Sequence, residues 1–137
     1  PIIDLRTDGI VGFEALVRWQ HPTRGLVPPL AFIPLAEESG LIVPLGRWVL
    51  ETACRQAARW RRSRPTAGPA APTGQPAPFV SVNLSARQFM DVDLVEDVAR
   101  ILAATGLERG ALELEITESV VMDQSEAGLR ALGRLRG

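Results

Sequence analysis

Residues 12–22 read GFEALVRWQHP, and their alternation decides the fold. Successive side chains of a β-strand point to opposite faces of its sheet. One face is apolar and holds Val11, Phe13, Ala15, Val17 and Trp19. The other face holds Gly12, Glu14, Leu16 and Arg18. The charged face either meets solvent at the edge of a sheet or points at a ligand inside a barrel or cleft.

The composition fits one globular domain in a reducing, cytoplasmic compartment. The chain has 137 residues, of which 46% are hydrophobic and 23% charged, with a formal net charge of -1. This balance gives no strong field that would recruit a nucleic acid polymer or an anionic membrane. No apolar run approaches the roughly 18 residues of a membrane segment. The single cysteine, Cys54, excludes an internal disulfide and lies among alanines, which predicts a small core residue rather than a nucleophile.

The pattern of elements predicts an opening hairpin and then a parallel α/β arrangement. Strands at 1–5 and 10–19 are joined by an Asp8-Gly9 turn, which favours antiparallel pairing. A loop is expected at 22–29, and a flexible insertion rich in proline, alanine and glycine at 63–78. The remaining predicted elements are helices at 30–38, 44–62 and 91–105, strands at 79–84 and 112–117, and a last helix from an Asp123/Glu126 capping box to Arg136. Alternating strands and helices indicate a parallel sheet covered by helices.

Three predicted strands carry an oxygen-bearing side chain on their polar face: Glu14, Asn83 and Glu115. Two carboxylates and an amide oxygen are hard ligands that suit Mg²⁺ or Mn²⁺ better than zinc. Arg18, on the same predicted face as Glu14, offers a guanidinium suited to phosphate. The alternative is a set of ordinary polar residues on a half-exposed sheet. We assign His21 to a turn rather than to a general base.

Four segments in order resemble the EAL domain of bacterial cyclic di-GMP phosphodiesterases. They are GFEALVRWQHP, FIPLAEESGLI, VSVNLSARQF and LELEITESVVM, at 12–22, 32–42, 80–89 and 112–122. The resemblance covers nearly the whole chain except the proline-rich insertion. It implies a TIM-like (β/α) barrel with an antiparallel first strand. It also implies metal-dependent hydrolysis of one phosphodiester of cyclic di-GMP, giving linear pGpG.

The resemblance also assigns roles to individual residues. Glu14, Asn83 and Glu115 would be metal ligands, with Glu14 and Glu115 acting in catalysis. Arg18 would contact a substrate phosphate, and Leu16 would line the groove for guanine and phosphate. The remaining residue, Glu118, would order a loop near the metal site and the dimer surface. The implied mechanism uses two Mg²⁺ or Mn²⁺ ions that polarise the phosphate and activate an attacking water.

The resemblance stops at about half of the family's domain. A DDFGTG-like segment, a lysine, a further glutamate and a glutamine of the family have no counterpart in these 137 residues. We therefore expect a partial barrel, truncated after about half, that is inactive and marginally folded as an isolated chain. The alternatives are a degenerate EAL domain acting as a cyclic di-GMP receptor or protein-interaction module, and a truncated product without function. A diguanylate cyclase-like or sensor domain in the full-length chain, and a homodimer when complete, are also implied.

Overall fold

A computed structural model describes residues 1–63, 77–116 and 133–135. Four helices and six strands lie wholly within these ranges, besides short 3-10 turns. The strands are β1 (Ile2–Asp4), β2 (Gly9–Ala15), β3 (Trp19–His21), β4 (Gly25–Val27), β5 (Phe79–Leu84) and β6 (Leu112–Ile116). The helices are α1 (Ile33–Ser39), α2 (Ile42–Ser63), α3 (Ala86–Phe89) and α4 (Leu94–Thr105).

The main sheet has four strands in the order β1-β2-β5-β6. β1 is antiparallel to β2, whereas β2, β5 and β6 run parallel. The predicted hairpin is confirmed, and its turn places Asp8 at φ 52, in the left-handed region that a tight turn requires. Within the described ranges this sheet does not close, so β1 and β6 are its two outermost strands. The sheet is consistent with part of a barrel.

One face of the sheet is covered by α2 and α4. The small residues of α2 let the helix lie close to β5. Residues of α2, β5 and α4 form one buried core, which includes Leu50, Ala53, Cys54, Ala57, Ala58, Val80, Val82, Leu84, Val98 and Ile101. The predicted helix ends are confirmed at Gly40 and Gly106, which adopt φ 80 and 69 after α1 and α4. In the described part of the chain, no helix is long and apolar enough to cross a membrane.

Two predictions near the opening stretch are wrong. The strand predicted at 10–19 ends at Ala15, because β2 pairs with β5 only from Gly12 to Ala15. The loop predicted at 22–29 contains β4, which pairs with β3 in an antiparallel two-stranded sheet. His21 holds this second hairpin together, since its Nδ1 accepts hydrogen bonds from the backbone N–H groups of Thr23 and Arg24, both at 3.2 Å.

Arg61 joins the two ends of the proline-rich segment. It lies near the end of α2, and its Nη1 donates to the carbonyl oxygens of Ala77 at 3.0 Å and Pro78 at 3.4 Å. Its Nη2 bonds Glu108 Oε2 at 2.7 Å. The chain therefore re-enters the fold beside the helix that it left. Most of the predicted insertion at 63–78, and the helix start predicted at Asp123, lie outside the described residues.

An acidic side chain links α2 to α4 and predicts how stability changes with pH. Asp97 accepts hydrogen bonds from Arg47 of α2 at 2.5 Å and from Arg100 at 2.6 Å. Burial acts to raise the pKa of Asp97, but the hydrogen bonds from Arg100 and Arg47 outweigh burial and hold this pKa below its usual value. The stabilisation is therefore present above about pH 4 and is lost as the pH falls through the lower folded-state pKa.

We expect Asp97→Asn to flatten the acid side of the melting-temperature profile. The measurement is thermal unfolding by circular dichroism between pH 2.5 and 7. Asp93→Asn is the matched control, because Asp93 is exposed and its side chain makes no capping hydrogen bond at the start of α4. An acid limb that Asp97→Asn leaves unchanged would contradict the prediction.

Cys54 is confirmed as a core residue, and its thiol is expected to be inert. It is 0% exposed, and burial raises the pKa of the thiol to about 11. The thiolate that reacts with alkylating reagents is therefore scarce at neutral pH. We expect no labelling by iodoacetamide in the folded chain and complete labelling in denaturant, measured by mass spectrometry. Labelling at equal rates in both states would contradict the prediction.

Candidate functional site

Three oxygen-bearing side chains meet at one edge of the parallel sheet. Glu14, Asn83 and Glu115 each stand one residue before the end of their strand, in β2, β5 and β6. The three strands are adjacent and parallel, so their carboxyl ends lie at the same edge. Asn83 and Glu115 are register partners, while Glu14 lies opposite Ser81. The structure thus brings together the three residues that the sequence selects.

A direct hydrogen bond joins two members of this group. Asn83 Nδ2 donates to Glu14 Oε1 at 2.7 Å. A carboxylate can only accept, so this contact fixes which end of the Asn83 amide faces Glu14. The amide oxygen Oδ1 is thereby left for another partner, and so is Oε2 of Glu14. All three predicted ligands are exposed, so these oxygens are accessible.

The third member is held by a residue that the sequence analysis did not select. Ser81, also on β5, donates its hydroxyl to Glu115 Oε1. Ser81 is 0% exposed, although it lies on the same strand face as the exposed Asn83. The alternation of β5 places Ser81 on the same polar face as Asn83. This is the one signal in the sequence that points to Ser81. Its contact with Glu115 depends on the register of two strands, which the sequence does not state.

An aromatic side chain closes the other end of this face. Gly12 and Phe79 are register partners at the start of the β2–β5 pairing. A Cβ at Gly12 would lie 2.7 Å from Phe79 Cζ, so the phenyl ring lies directly against Gly12 and would have to move to admit a side chain there. This end of the face is therefore apolar, whereas Glu14, Asn83 and Glu115 lie toward the carboxyl ends of their strands.

Leu16 and Arg18 lie beyond β2 and not on it. Leu16 is 54% exposed and lines two cavities, one of about 300 Å³ that reaches Asn83 and one of about 320 Å³ that reaches Glu14 and Arg18. Arg18 is exposed, and its Nη1 donates to the carbonyl oxygen of Val17 at 2.8 Å. The strand alternation that placed both residues on the face of Glu14 does not apply there. Glu118 lies outside the described residues.

The short helix α3 begins directly after β5, next to the strand end that carries Asn83. Ser85 caps this short helix: its Oγ accepts from the N–H of Gln88 at 3.2 Å, and its own N–H donates to Gln88 Oε1 at 3.3 Å. Arg87 donates to the carbonyl oxygen of Glu37 at 2.5 Å and so caps the end of α1. The capping box begins directly after β5, two residues beyond Asn83, and it therefore fixes where that strand ends.

The donor set fits a hard divalent cation. Two carboxylates and an amide oxygen offer oxygen ligands and no sulfur or imidazole nitrogen, which is the set that Mg²⁺ and Mn²⁺ prefer. Neither Glu14 nor Glu115 forms an ion pair with another described residue, so their negative charges are not cancelled by a protein cation. Within the same ranges, no three His, Cys, Asp or Glu side chains cluster as a metal site, so the amide of Asn83 is needed to complete the set.

Known proteins are similar in sequence to this chain over most of its length. It matches the EAL domain family over residues 1–137. An uncharacterized signaling protein of Caulobacter vibrioides is 46% identical over 136 residues, which are 99% of this chain and 15% of that protein. The bifunctional diguanylate cyclase/cyclic di-GMP phosphodiesterase MucR of Pseudomonas aeruginosa is 43% identical over 126 residues, which are 92% of this chain and 17% of that protein.

Solved structures share the fold. The MucR phosphodiesterase in complex with c-di-GMP has a TM-score of 0.82 and 42% identity, covering 93% of this chain and 48% of that chain. The EAL enzyme Bd1971 in its cAMP and cyclic di-GMP bound form has a TM-score of 0.84 and 31% identity, covering 99% of this chain and 35% of that chain. This chain therefore spans about half of the solved MucR chain. Because sequence and fold agree over nearly all of its length, the chain belongs to the EAL domain family.

Proposed function

We propose that this chain supplies part of the cation site of a cyclic di-GMP phosphodiesterase, which cleaves one phosphodiester of the cyclic dinucleotide to give linear pGpG. The observation that carries the proposal is the meeting of Glu14, Asn83 and Glu115 at one strand edge, with Asn83 hydrogen-bonded to Glu14 at 2.7 Å. Membership of the EAL domain family and similarity to a phosphodiesterase solved with c-di-GMP support the choice of substrate.

In this proposal the three residues hold Mg²⁺ or Mn²⁺. The cation, when bound, supplies Lewis-acid polarisation of a phosphate oxygen and a lowered pKa for bound water. Glu14 and Glu115 contribute negative charge, and Asn83 contributes a neutral oxygen whose direction Glu14 fixes. Two cations in the complete domain need further ligands, which other parts of a full-length domain would provide.

The two residues beyond β2 are proposed to bind the substrate. Arg18 is exposed, and its contact with the Val17 carbonyl uses one of the five N–H donors of a guanidinium. The others are free to offset charge on a phosphate. Leu16 is exposed beside Asn83 and Glu14 and offers an apolar surface to a guanine base. Glu118 keeps its proposed role in ordering a nearby loop.

The wider context is also proposed. MucR combines a diguanylate cyclase with a phosphodiesterase, which supports a cyclase-like or sensor domain elsewhere in the full-length protein. A homodimer of the complete domain and a cytoplasmic location stay predictions. The second candidate function is a receptor that binds cyclic di-GMP without cleaving it.

A chimera tests catalysis. Residues 1–137 are fused to the part of the MucR phosphodiesterase chain that they do not cover, and product is measured by chromatography with Mg²⁺ or Mn²⁺. We expect the chimera to convert cyclic di-GMP to pGpG. The same chimera carrying Glu14→Gln is expected to form none. The isolated chain is also expected to form none.

The outcomes separate the two candidate functions. Cyclic di-GMP binding without product, by a chimera that unfolds cooperatively, would support the receptor and contradict the phosphodiesterase. Equal turnover by the Glu14→Gln chimera would contradict the assigned role of Glu14. Product formed by the isolated chain would contradict the expectation that half of the domain is inactive.

A further inference from the structure

Ser81 is a fully buried hydroxyl in the middle of a strand. In the described part of the chain, Ser81 and Gln88 are the buried polar residues, at 0% and 6% exposure. Gln88 is accounted for by the cap of α3. A buried hydroxyl is costly unless it is hydrogen-bonded. The bond that satisfies Ser81 goes to Glu115, one of the three proposed cation ligands.

The choice of acceptor is specific. The register partner of Ser81 across the β5–β6 pairing is Glu113, and Asn83 is the partner of Glu115. Glu113 and Glu115 lie on the same face of β6, two residues apart. The single hydroxyl proton of Ser81 goes diagonally to Glu115, toward the carboxyl-end edge, and not straight across to Glu113.

The other carboxylate is held in the same way. Glu14 Oε1 accepts from Asn83, just as Glu115 Oε1 accepts from Ser81. Both donors are neutral and both come from the central strand β5. Neither hydrogen bond pairs a carboxylate with a positive charge, and each leaves one oxygen, Oε2, outside these contacts. A positively charged partner would have neutralised the charge that a cation needs.

We propose that Ser81 is a positioning residue that holds Glu115 Oε1, so that Glu115 offers Oε2 as a single-oxygen ligand to the divalent cation. This inference rests on the proposed cation-holding function of Glu115. Without the hydroxyl, the exposed Glu115 side chain is free to rotate, and part of the binding free energy goes into ordering it. Loss of such an outer hydrogen bond typically lowers metal affinity by about 10- to 100-fold.

The test measures cation affinity directly. Mn²⁺ is the probe, and free Mn²⁺ is followed by electron paramagnetic resonance during titration of the purified chain. The variants are Ser81→Ala, Ser81→Cys, Glu115→Gln and Glu113→Gln, with thermal unfolding recorded for each. Glu113→Gln is the matched control, since it removes one charge from the same strand face without touching the Ser81 hydrogen bond.

We expect Ser81→Ala to bind Mn²⁺ about 10- to 100-fold more weakly than the unchanged chain. Ser81→Cys, which keeps a weak donor of similar size, should fall between the two. Glu115→Gln should lose more affinity than Ser81→Ala, and Glu113→Gln should lose less. If Ser81→Ala does not unfold cooperatively, the comparison of Ser81→Cys with Glu113→Gln carries the test.

Each contrary outcome has a definite meaning. If Glu115→Gln loses binding while both Ser81 variants bind as the unchanged chain does, the positioning role is overturned and the cation site stands. A lower melting temperature with unchanged affinity in the Ser81 variants also overturns it, because it shows a structural role alone. If Glu115→Gln binds like the unchanged chain, or an unchanged chain that unfolds cooperatively binds no Mn²⁺, the cation site fails and the role of Ser81 fails with it.

Discussion

Asn83→Leu is expected to abolish Mn²⁺ binding by the chain. This substitution removes two contributions at once: the ligand oxygen Oδ1 and the Nδ2 donor that holds Glu14 Oε1 at 2.7 Å. The expected loss therefore exceeds the roughly 10- to 100-fold typical of losing a supporting hydrogen bond alone. Leucine has a similar shape and Asn83 is exposed, so the fold should tolerate the change. The measurement is a Mn²⁺ titration followed by electron paramagnetic resonance.

Two comparison variants sharpen this experiment. Gln20→Leu makes the same change from amide to aliphatic side chain at an exposed position of β3 that lines neither cavity beside the site, and it should leave Mn²⁺ affinity unchanged. Asn83→Asp keeps an oxygen ligand and adds a negative charge while it loses the donor to Glu14. It should therefore retain binding that Asn83→Leu loses. Equal affinities for Asn83→Leu and the unchanged chain would remove Asn83 from the site.

Gly46→Ala is expected to destabilise the chain, against the usual effect of this substitution in a helix. Alanine at an exposed helix interior favours the helix by about 1 kcal/mol over glycine. At Gly46, however, a Cβ would lie 1.7 Å from Nε2 of Gln88, whose side chain caps α3. Gln88 is buried, so the amide has little room to move aside. We expect a net loss of about 1–3 kcal/mol in the free energy of unfolding, as is typical of overpacking.

Urea unfolding of four variants checks this prediction: Gly46→Ala, Gln88→Ala, their combination and Gly110→Ala. Gly110→Ala is the control, because a Cβ at Gly110 meets nothing within 4 Å. Combining Gly46→Ala with Gln88→Ala should destabilise less than the sum of the two single changes, since the clash disappears once Gln88 is shortened. Additive losses would mean that Gln88 is not the group that excludes a side chain at Gly46.

Much of the framework was predictable from local signals. The bounds of β5 match the predicted 79–84, because this short alternating run lies between Pro78 and Ser85. The ends of α1 and α4 followed from Gly40 and Gly106, which supply the left-handed conformation of a helix cap. The three candidate ligands followed from strand alternation together with the family resemblance. Each of these signals lies within a few residues of the feature it predicts.

The failures concern contacts between distant segments. The alternation of 10–19 continues past Ala15, but the pairing of β2 with β5 ends there, and only the partner strand sets that limit. The sequence predicts a loop where the second hairpin lies, because its two strands, β3 and β4, have only three residues each. The contact of Ser81 with Glu115 depends on cross-strand register. Alternation placed Ser81 on the right face but could not name its acceptor.

The hydrogen bonds from Arg61 to the backbone at Ala77 and Pro78 have a practical consequence for protein engineering. Its guanidinium touches the carbonyl oxygens of Ala77 and Pro78 from the last turns of α2, so the exit and re-entry points of segment 64–76 are fixed side by side. The entropic cost of closing a loop between two fixed ends rises only slowly with the length of the loop. The segment is thus a natural place to splice in a fluorescent reporter, whose attachment points lie away from the strand edge that carries Glu14, Asn83 and Glu115.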